Sequence, residues 1–374
     1  MLRTFLLLLP AFSLLAACGT ASPGDDDDAS ACSDGEDLEE LQLSGRLYVD
    51  GDGGDASIHD SSFDTDTDSP LSGVSVQLFG AGDAQTGSSC DTGEFHFGDL
   101  AEGSYVLAPD LDVDGNCMQR NCTKRLPQAL EEGAVKIVTM GDSVPVVGDD
   151  TLFPERLATL LEDLADIDNT NVAVGGSVST QWLPGTANFE NRLAPELSDA
   201  DVVIMSIGGN DITQSLDASA LQDPEGAVEN TYELVAEIAE NVRDTVSAMR
   251  EINPDIDVVY CIYVDYGQAS IFPWGIVANL VGQEAITDVL KTARESISVE
   301  EDILVADLFG ASHQLDDPLD DYLADALHFN DRGHTLYAEE IFMTLGGFVI
   351  GDGPLNGQAR ANIGSTPSWS LATD

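Results

Sequence analysis

The chain has 374 residues, 43% of them hydrophobic, which is too long for one small domain and enough to bury two cores. Its 14 Lys and Arg face 68 Asp and Glu, a net charge of −54. Such a surface repels phosphate backbones and anionic headgroups, which excludes nucleic acid as a partner and membrane attachment through basic residues.

Arg3 precedes an apolar run from Phe5 to Ala17, broken once by Pro10. The run is too short to span a bilayer and suits the apolar stretch of a secretory signal. It ends in Leu15-Ala16-Ala17-Cys18-Gly19, which resembles the lipobox of bacterial lipoproteins. The resemblance implies removal of residues 1–17, a diacylglyceryl thioether on Cys18 and acylation of the new amino group. Such a protein is lipid-anchored in the cell envelope, at the outer membrane or cell surface. The alternative is an ordinary secretory peptide with an unrelated cysteine near the cut. Residues 18–40 carry Asp25-Asp26-Asp27-Asp28 and little to bury, so an acidic tether is expected there.

Residues 41–130 show short alternating runs at Gly45–Val49, Val74–Phe79, Glu94–Phe97 and Ser104–Leu107, separated by Gly and Asp clusters. That pattern predicts a small β-sandwich. The segments Gly73–Val76, Asp91–Phe95 and Leu100–Tyr105 resemble the B-type repeats of Gram-positive surface adhesins and the related carboxypeptidase-regulatory-like modules. In the adhesin modules an acidic loop after the first strand binds calcium. Here Asp50, Asp52 and Asp55 alternate with Gly, a spacing that can converge on one hard cation. No properly spaced bidentate Glu closes the loop, and a solvated acidic loop is the equal alternative. Structural calcium is thus an open expectation for this module. Of the six cysteines, Cys18 is assigned to lipid and Cys261 to a packed thiol in the apolar run 257–263. Cys32, Cys90, Cys117 and Cys122 allow three pairings, of which Cys117–Cys122 with Cys32–Cys90 is one.

Residues 131–350 alternate strand and helix patterns. Apolar, β-branched runs at 135–140, 171–174, 201–207, 258–263 and 303–308 read as buried parallel strands. Between the third and fourth, Val228, Tyr232, Val235, Ile238, Val242, Val246 and Met249 recur at steps of three and four, ending before Asn253-Pro254. The expected fold is α/β: a three-layer α/β/α sandwich on a five-stranded parallel sheet.

Three motifs follow the first three strands of that fold, Gly141-Asp142-Ser143, Gly175-Gly176 and Gly208-Gly209-Asn210-Asp211, and a fourth, Asp325-Ala326-Leu327-His328, lies in the loop before the last helix. Their set and order resemble the four blocks of the SGNH, or GDSL-type, hydrolases across residues 131–350. The resemblance implies Ser143 as nucleophile, His328 as its base and Asp325 as the carboxylate orienting the base. It also implies an oxyanion hole from the Ser143 and Gly176 backbone N–H groups and the Asn210 side chain, with Gly175 the adjacent candidate. Val144 stands where the family usually has Leu. Asp142 and Asp211 are read as loop ties, His334 as a packing or capping residue, and His59, His96 and His313 as surface or structural. Phe272, Pro273, Trp274 and Ile276 either line an acyl or sugar site or pack as core. Residues 351–374 read as a loosely attached tail.

The expected function is a surface-anchored serine esterase, hydrolysing an acetylated carbohydrate or a lipid ester through an acyl-enzyme, with no cofactor needed for catalysis. The alternative is a non-catalytic adhesion or carbohydrate-binding lipoprotein whose SGNH unit is silent.

Overall fold

The computed structural model describes residues 3–7, 41–50, 69–70, 72–80, 84–101, 103–109, 123–148, 151–215, 224–270, 283–298 and 303–350. Cys18 and the tether, Cys32, Cys117, Cys122, Asp52, Asp55, His59, the 272–276 apolar segment and the C-terminal tail lie outside these. The lipid attachment, the calcium loop beyond Asp50 and the disulfide pairing therefore fall outside the described residues as well. Among the described residues no group of three or more His, Cys, Asp and Glu is gathered to hold a metal, and no helix is long and apolar enough to cross a membrane.

The N-terminal unit contains β1 (Arg3–Leu7), β2 (Leu41–Asp50), β3 (Ser69–Pro70), β4 (Ser75–Phe79), β5 (Gln85–Ser88), β6 (Glu94–Leu100) and β7 (Gly103–Pro109). β2 pairs antiparallel with β1, β3 and β6, while β4 pairs antiparallel with β5 and β7. β1 falls inside the segment that the lipobox resemblance assigns to removal. Val76, Leu78, Phe95 and Phe97 are buried, and the Phe97 ring on β6 lies against Gly87 on β5, where the two sheets come together.

The chain then enters α1 (Arg125–Glu132), β8 (Ala134–Gly141), α2 (Phe153–Leu161), β9 (Asp166–Asn171) and β10 (Val202–Ser206). There follow α3 (Gly209–Ser215), α4 (Pro224–Ile252), β11 (Asp257–Ile262), α5 (Gln283–Ser298), β12 (Leu304–Asp307), α6 (Leu308–Ser312), α7 (Asp331–Thr344) and β13 (Gly347–Ile350). The parallel sheet runs β12-β11-β10-β8-β9. β8, β10 and β11 are buried along almost their whole length, as central strands covered on both faces should be. On α4 the stripe Val235, Ile238, Val242, Val246 and Met249 is buried, each such side chain contributing about 1.5–3 kcal/mol.

Two features differ from the sequence reading. The second strand is 166–171, not 171–174. Its residues, Asp-Ile-Asp-Asn-Thr-Asn, are those of an edge strand, and the apolar Val172-Ala173-Val174 carries the chain past the sheet toward the site. Second, β13 leaves the α/β unit and joins the N-terminal one. It pairs antiparallel with β7, with Phe348 opposite Tyr105 and their rings stacked at 5.5 Å. Phe79, Val106 and Ala108 accordingly share one hydrophobic core with Leu126, Ile137 and Leu157.

Candidate active site

The first motif is a sharp turn off the end of β8. Gly141 has φ 139°, and a Cβ there would lie 1.9 Å from the Ser206 carbonyl oxygen, so only glycine lets β8 and β10 approach this closely. Asp142 N–H donates to Ser206 O at 2.9 Å, and Ser143 then leaves the sheet half-buried. The Ser143 carbonyl accepts from Val146 and Val147 at 3.0 and 2.8 Å, which closes the turn.

His328 arrives from the loop before α7. The Ala324 and Asp325 N–H groups both donate to the His328 carbonyl, and Asn330 caps α7 by accepting from Arg332 and Gly333. Within this turn the Asp325 Oδ1 accepts from the Leu327 and His328 backbone N–H groups at 2.8 and 2.9 Å. Asp325 Oδ2 lies 2.8 Å from His328 Nδ1, and His328 Nε2 lies 3.0 Å from Ser143 Oγ. An ionised carboxylate only accepts, so Nδ1 carries the ring proton and Nε2 is left to accept from the serine. Burial works against the Asp325 charge, but the hydrogen bonds from the His328 ring and from the Leu327 and His328 N–H groups outweigh it and hold the carboxyl below its ordinary range.

The other two motifs are tied to each other. Val174 N–H and Ser177 Oγ both donate to Gly141 O at 2.9 Å, which brings Gly175 and Gly176 beside the Ser143 turn. A Cβ on Gly175 would lie 3.9 Å from Ser143 Cβ, while Gly176 takes φ 79° in open space. Asn210, in the first turn of α3, donates one amide hydrogen to Ser177 O at 3.0 Å. Its second amide hydrogen is not needed for that tie. Asp211 accepts from Ser179 Oγ at 2.6 Å and from Ser179 N–H, and Asn241 on α4 donates to Ser179 Oγ at 2.9 Å.

Asp142 is 2% exposed, with Oδ1 accepting from Val144 N–H at 3.0 Å and Oδ2 from the Tyr263 hydroxyl. Burial pushes its carboxyl up from 3.8 to about 6, against the Tyr263 and Val144 hydrogen bonds that favour the charged form. A folded pKa above the unfolded one means the fold binds the proton more tightly. The resulting stability, about 3 kcal/mol, is complete at low pH and is lost as pH rises from about 4 to about 6. Asp142→Asn should therefore gain on the wild type by up to about 3 kcal/mol between pH 4 and pH 7 in denaturant melts. A pH-independent difference between the two would disprove this linkage.

The remaining histidines sit apart from the relay. His334 is buried in α7 between Phe153 and Phe329, its Nε2 3.2 Å from Val147 O. His313 Nε2 lies 3.1 Å from Oδ2 of the fully buried Asp265, a pair with no signal in the local sequence. His96 lies half-buried in β6. Cys261 is a buried thiol in β11.

The model of the GDSL-like lipase/acylhydrolase family matches residues 139–336, from β8 to α7. No curated protein sequence is close enough to count as a relative. Among solved structures, phospholipase A1 from Streptomyces albidoflavus NA297 is 19% identical, covering 56% of this chain and 99% of its own, at a TM-score of 0.45. The lipase Lip_vut3 from a goat rumen metagenome is 18% identical, covering 56% and 97%, at 0.44. The acetylxylan esterase Axe2 from Geobacillus stearothermophilus is 16% identical, covering 57% and 94%, at 0.40.

Proposed function

The chain belongs to the GDSL-like lipase/acylhydrolase family and carries a carboxylic ester hydrolase unit; on that premise we propose a serine esterase, lipid-anchored through Cys18, that works through an acyl-enzyme on Ser143. The observation that carries the mechanism is the unbroken relay from Ser143 Oγ to His328 Nε2 at 3.0 Å and from His328 Nδ1 to Asp325 at 2.8 Å.

In this mechanism Ser143 Oγ attacks the ester carbonyl carbon while His328 Nε2 takes its proton. The carbonyl oxygen becomes an oxyanion, facing the Ser143 and Gly176 N–H groups and the Asn210 amide hydrogen not committed to Ser177. One such donor is worth about 3 kcal/mol in the transition state. Collapse of the intermediate expels the alcohol, which leaves with the proton held on His328. Water then attacks the acyl-enzyme, giving its proton to His328, and a second collapse returns that proton to Ser143 and releases the acid. Asp325 orients the imidazole and balances its charge in both halves.

The substrate class in this reading is an ester of a carbohydrate or a lipid. Val146 and Val147, each 37% exposed just past the nucleophile, offer an apolar lip on which either could rest. The net charge of −54 disfavours polyanionic substrates. A series of p-nitrophenyl acetate, butyrate, octanoate and palmitate, with fluorophosphonate labelling in parallel, tests the proposal on the full chain. Turnover and labelling at Ser143 are expected. An optimum at acetate assigns an acetyl-carbohydrate substrate, and one at octanoate or beyond a lipid. A folded chain that neither turns over nor labels would leave the adhesion reading in its place. In the same preparation, Cys18→Ser should move the chain out of the detergent phase, and retention there would remove the anchor.

A further inference from the structure

We propose that Tyr260, Tyr263 and Tyr266 are positioning residues for this site, each hydroxyl holding the backbone or side chain beside one of its three parts; the inference rests on the esterase reading above. They follow one another at intervals of three along β11 and the turn after it.

Tyr260 donates to Ile207 O at 2.7 Å, just before the Gly208-Gly209-Asn210 turn, and its hydroxyl oxygen would be 3.3 Å from a Cβ on Gly208. Tyr263 donates to Asp142 Oδ2, and the other oxygen of that carboxylate caps Val144, so the pair brackets Ser143. The Tyr263 ring also underlies the next motif, since a Cβ on Gly209 would come within 2.9 Å of its Cζ. Tyr266 donates to Leu327 O at 2.8 Å, immediately before His328. One strand end thus touches the oxyanion turn, the nucleophile turn and the base turn.

All three phenols are buried, and burial raises each above its ordinary range, so each remains a donor wherever the enzyme is folded. The groups they steady come from loops far apart in sequence, after β8, after β10 and before α7. Sites built on a rigid element are held more closely than sites on loops alone, and a misplacement of about 1 Å can cost about 100-fold in rate. Gly208 and Gly209 fit the same account. A Cβ on Gly209 would collide with the Tyr263 ring, and one on Gly208 would crowd Ile238 and the Tyr260 hydroxyl, so both positions suit glycine.

Tyr260→Phe, Tyr263→Phe and Tyr266→Phe in the full chain keep the rings and remove only the hydroxyls. Each should lower kcat on p-nitrophenyl acetate about 10-fold with KM within about twofold, and should slow fluorophosphonate labelling of Ser143 to match. Wild-type kcat with a lowered melting temperature would reduce the tyrosines to core hydrogen bonds and overturn the inference. If Tyr263→Phe does not fold, Tyr266→Phe decides, because its acceptor lies in a half-exposed turn. A wild-type chain that neither hydrolyses nor labels would instead sink the esterase reading on which this rests.

Discussion

Ser143→Ala is expected to lower kcat/KM on any ester the enzyme turns over by at least about 10⁴-fold, leaving only what binding and the oxyanion donors supply. The alanine methyl fits where the serine Cβ sits, so the turn closed by Val146 and Val147 should persist and the melting temperature should barely move. His328→Ala should cost a similar amount, because a serine without its base stays protonated at neutral pH. The double variant should be no worse than either single one, since the two groups act as one relay at 3.0 Å. Steady-state kinetics on the four proteins checks this. Additive losses would mean that Ser143 and His328 contribute separately and that the relay is not the reacting unit.

Asp325→Asn should be the more damaging of the two neutral substitutions at that position, with a loss of roughly 10²–10⁴-fold in kcat. The reason lies in the backbone of the turn. Oδ1 accepts from two N–H groups, of Leu327 and His328, so an asparagine must keep its carbonyl oxygen there. Its amide nitrogen then takes the place of Oδ2, at 2.8 Å the nearer of the two oxygens to His328 Nδ1 (Oδ1 is at 3.1 Å), and by donating there it favours the tautomer with the proton on Nε2, which cannot accept from Ser143. Asp325→Ala imposes no such orientation. The Asp325 side chain is 57% exposed, so water can reach Nδ1 and accept its hydrogen in the alanine variant. Kinetics of both variants at one pH gives the ranking, and an asparagine variant faster than the alanine one would contradict the tautomer argument.

Much of this site is legible in the amino-acid sequence. The runs that became β8, β10, β11 and β12 are apolar on both faces, a composition with few alternatives once helices intervene. The α4 stripe is long enough for its period to be unmistakable. The four motifs are legible because each is confined to a few consecutive residues, three of them just past a strand and the fourth in the loop before α7. What escaped was either polar or non-local. β9 is illegible because an edge strand of acids and amides carries no apolar run, whereas the adjoining Val172-Ala173-Val174 does. The tyrosines gave no signal, since the groups they hold, Ile207, Asp142 and Leu327, come from distant loops. The Ser179–Asp211 tie and the Asp265–His313 pair are the same kind of contact, made by tertiary folding alone.

β13 carries no local signal for the same reason, since its partner β7 lies in the preceding module. The strand that closes the catalytic chain is hydrogen-bonded into the sheet of the preceding module, and their cores are continuous. A cut at residue 131 would strip β7 from β13 and leave a bare edge of N–H and C=O groups, a template for pairing with another copy. The N-terminal module is therefore not a cassette that recombination can exchange at a linker. Replacing the module would uncover residues 347–350 unless the new one also offered β13 a partner strand.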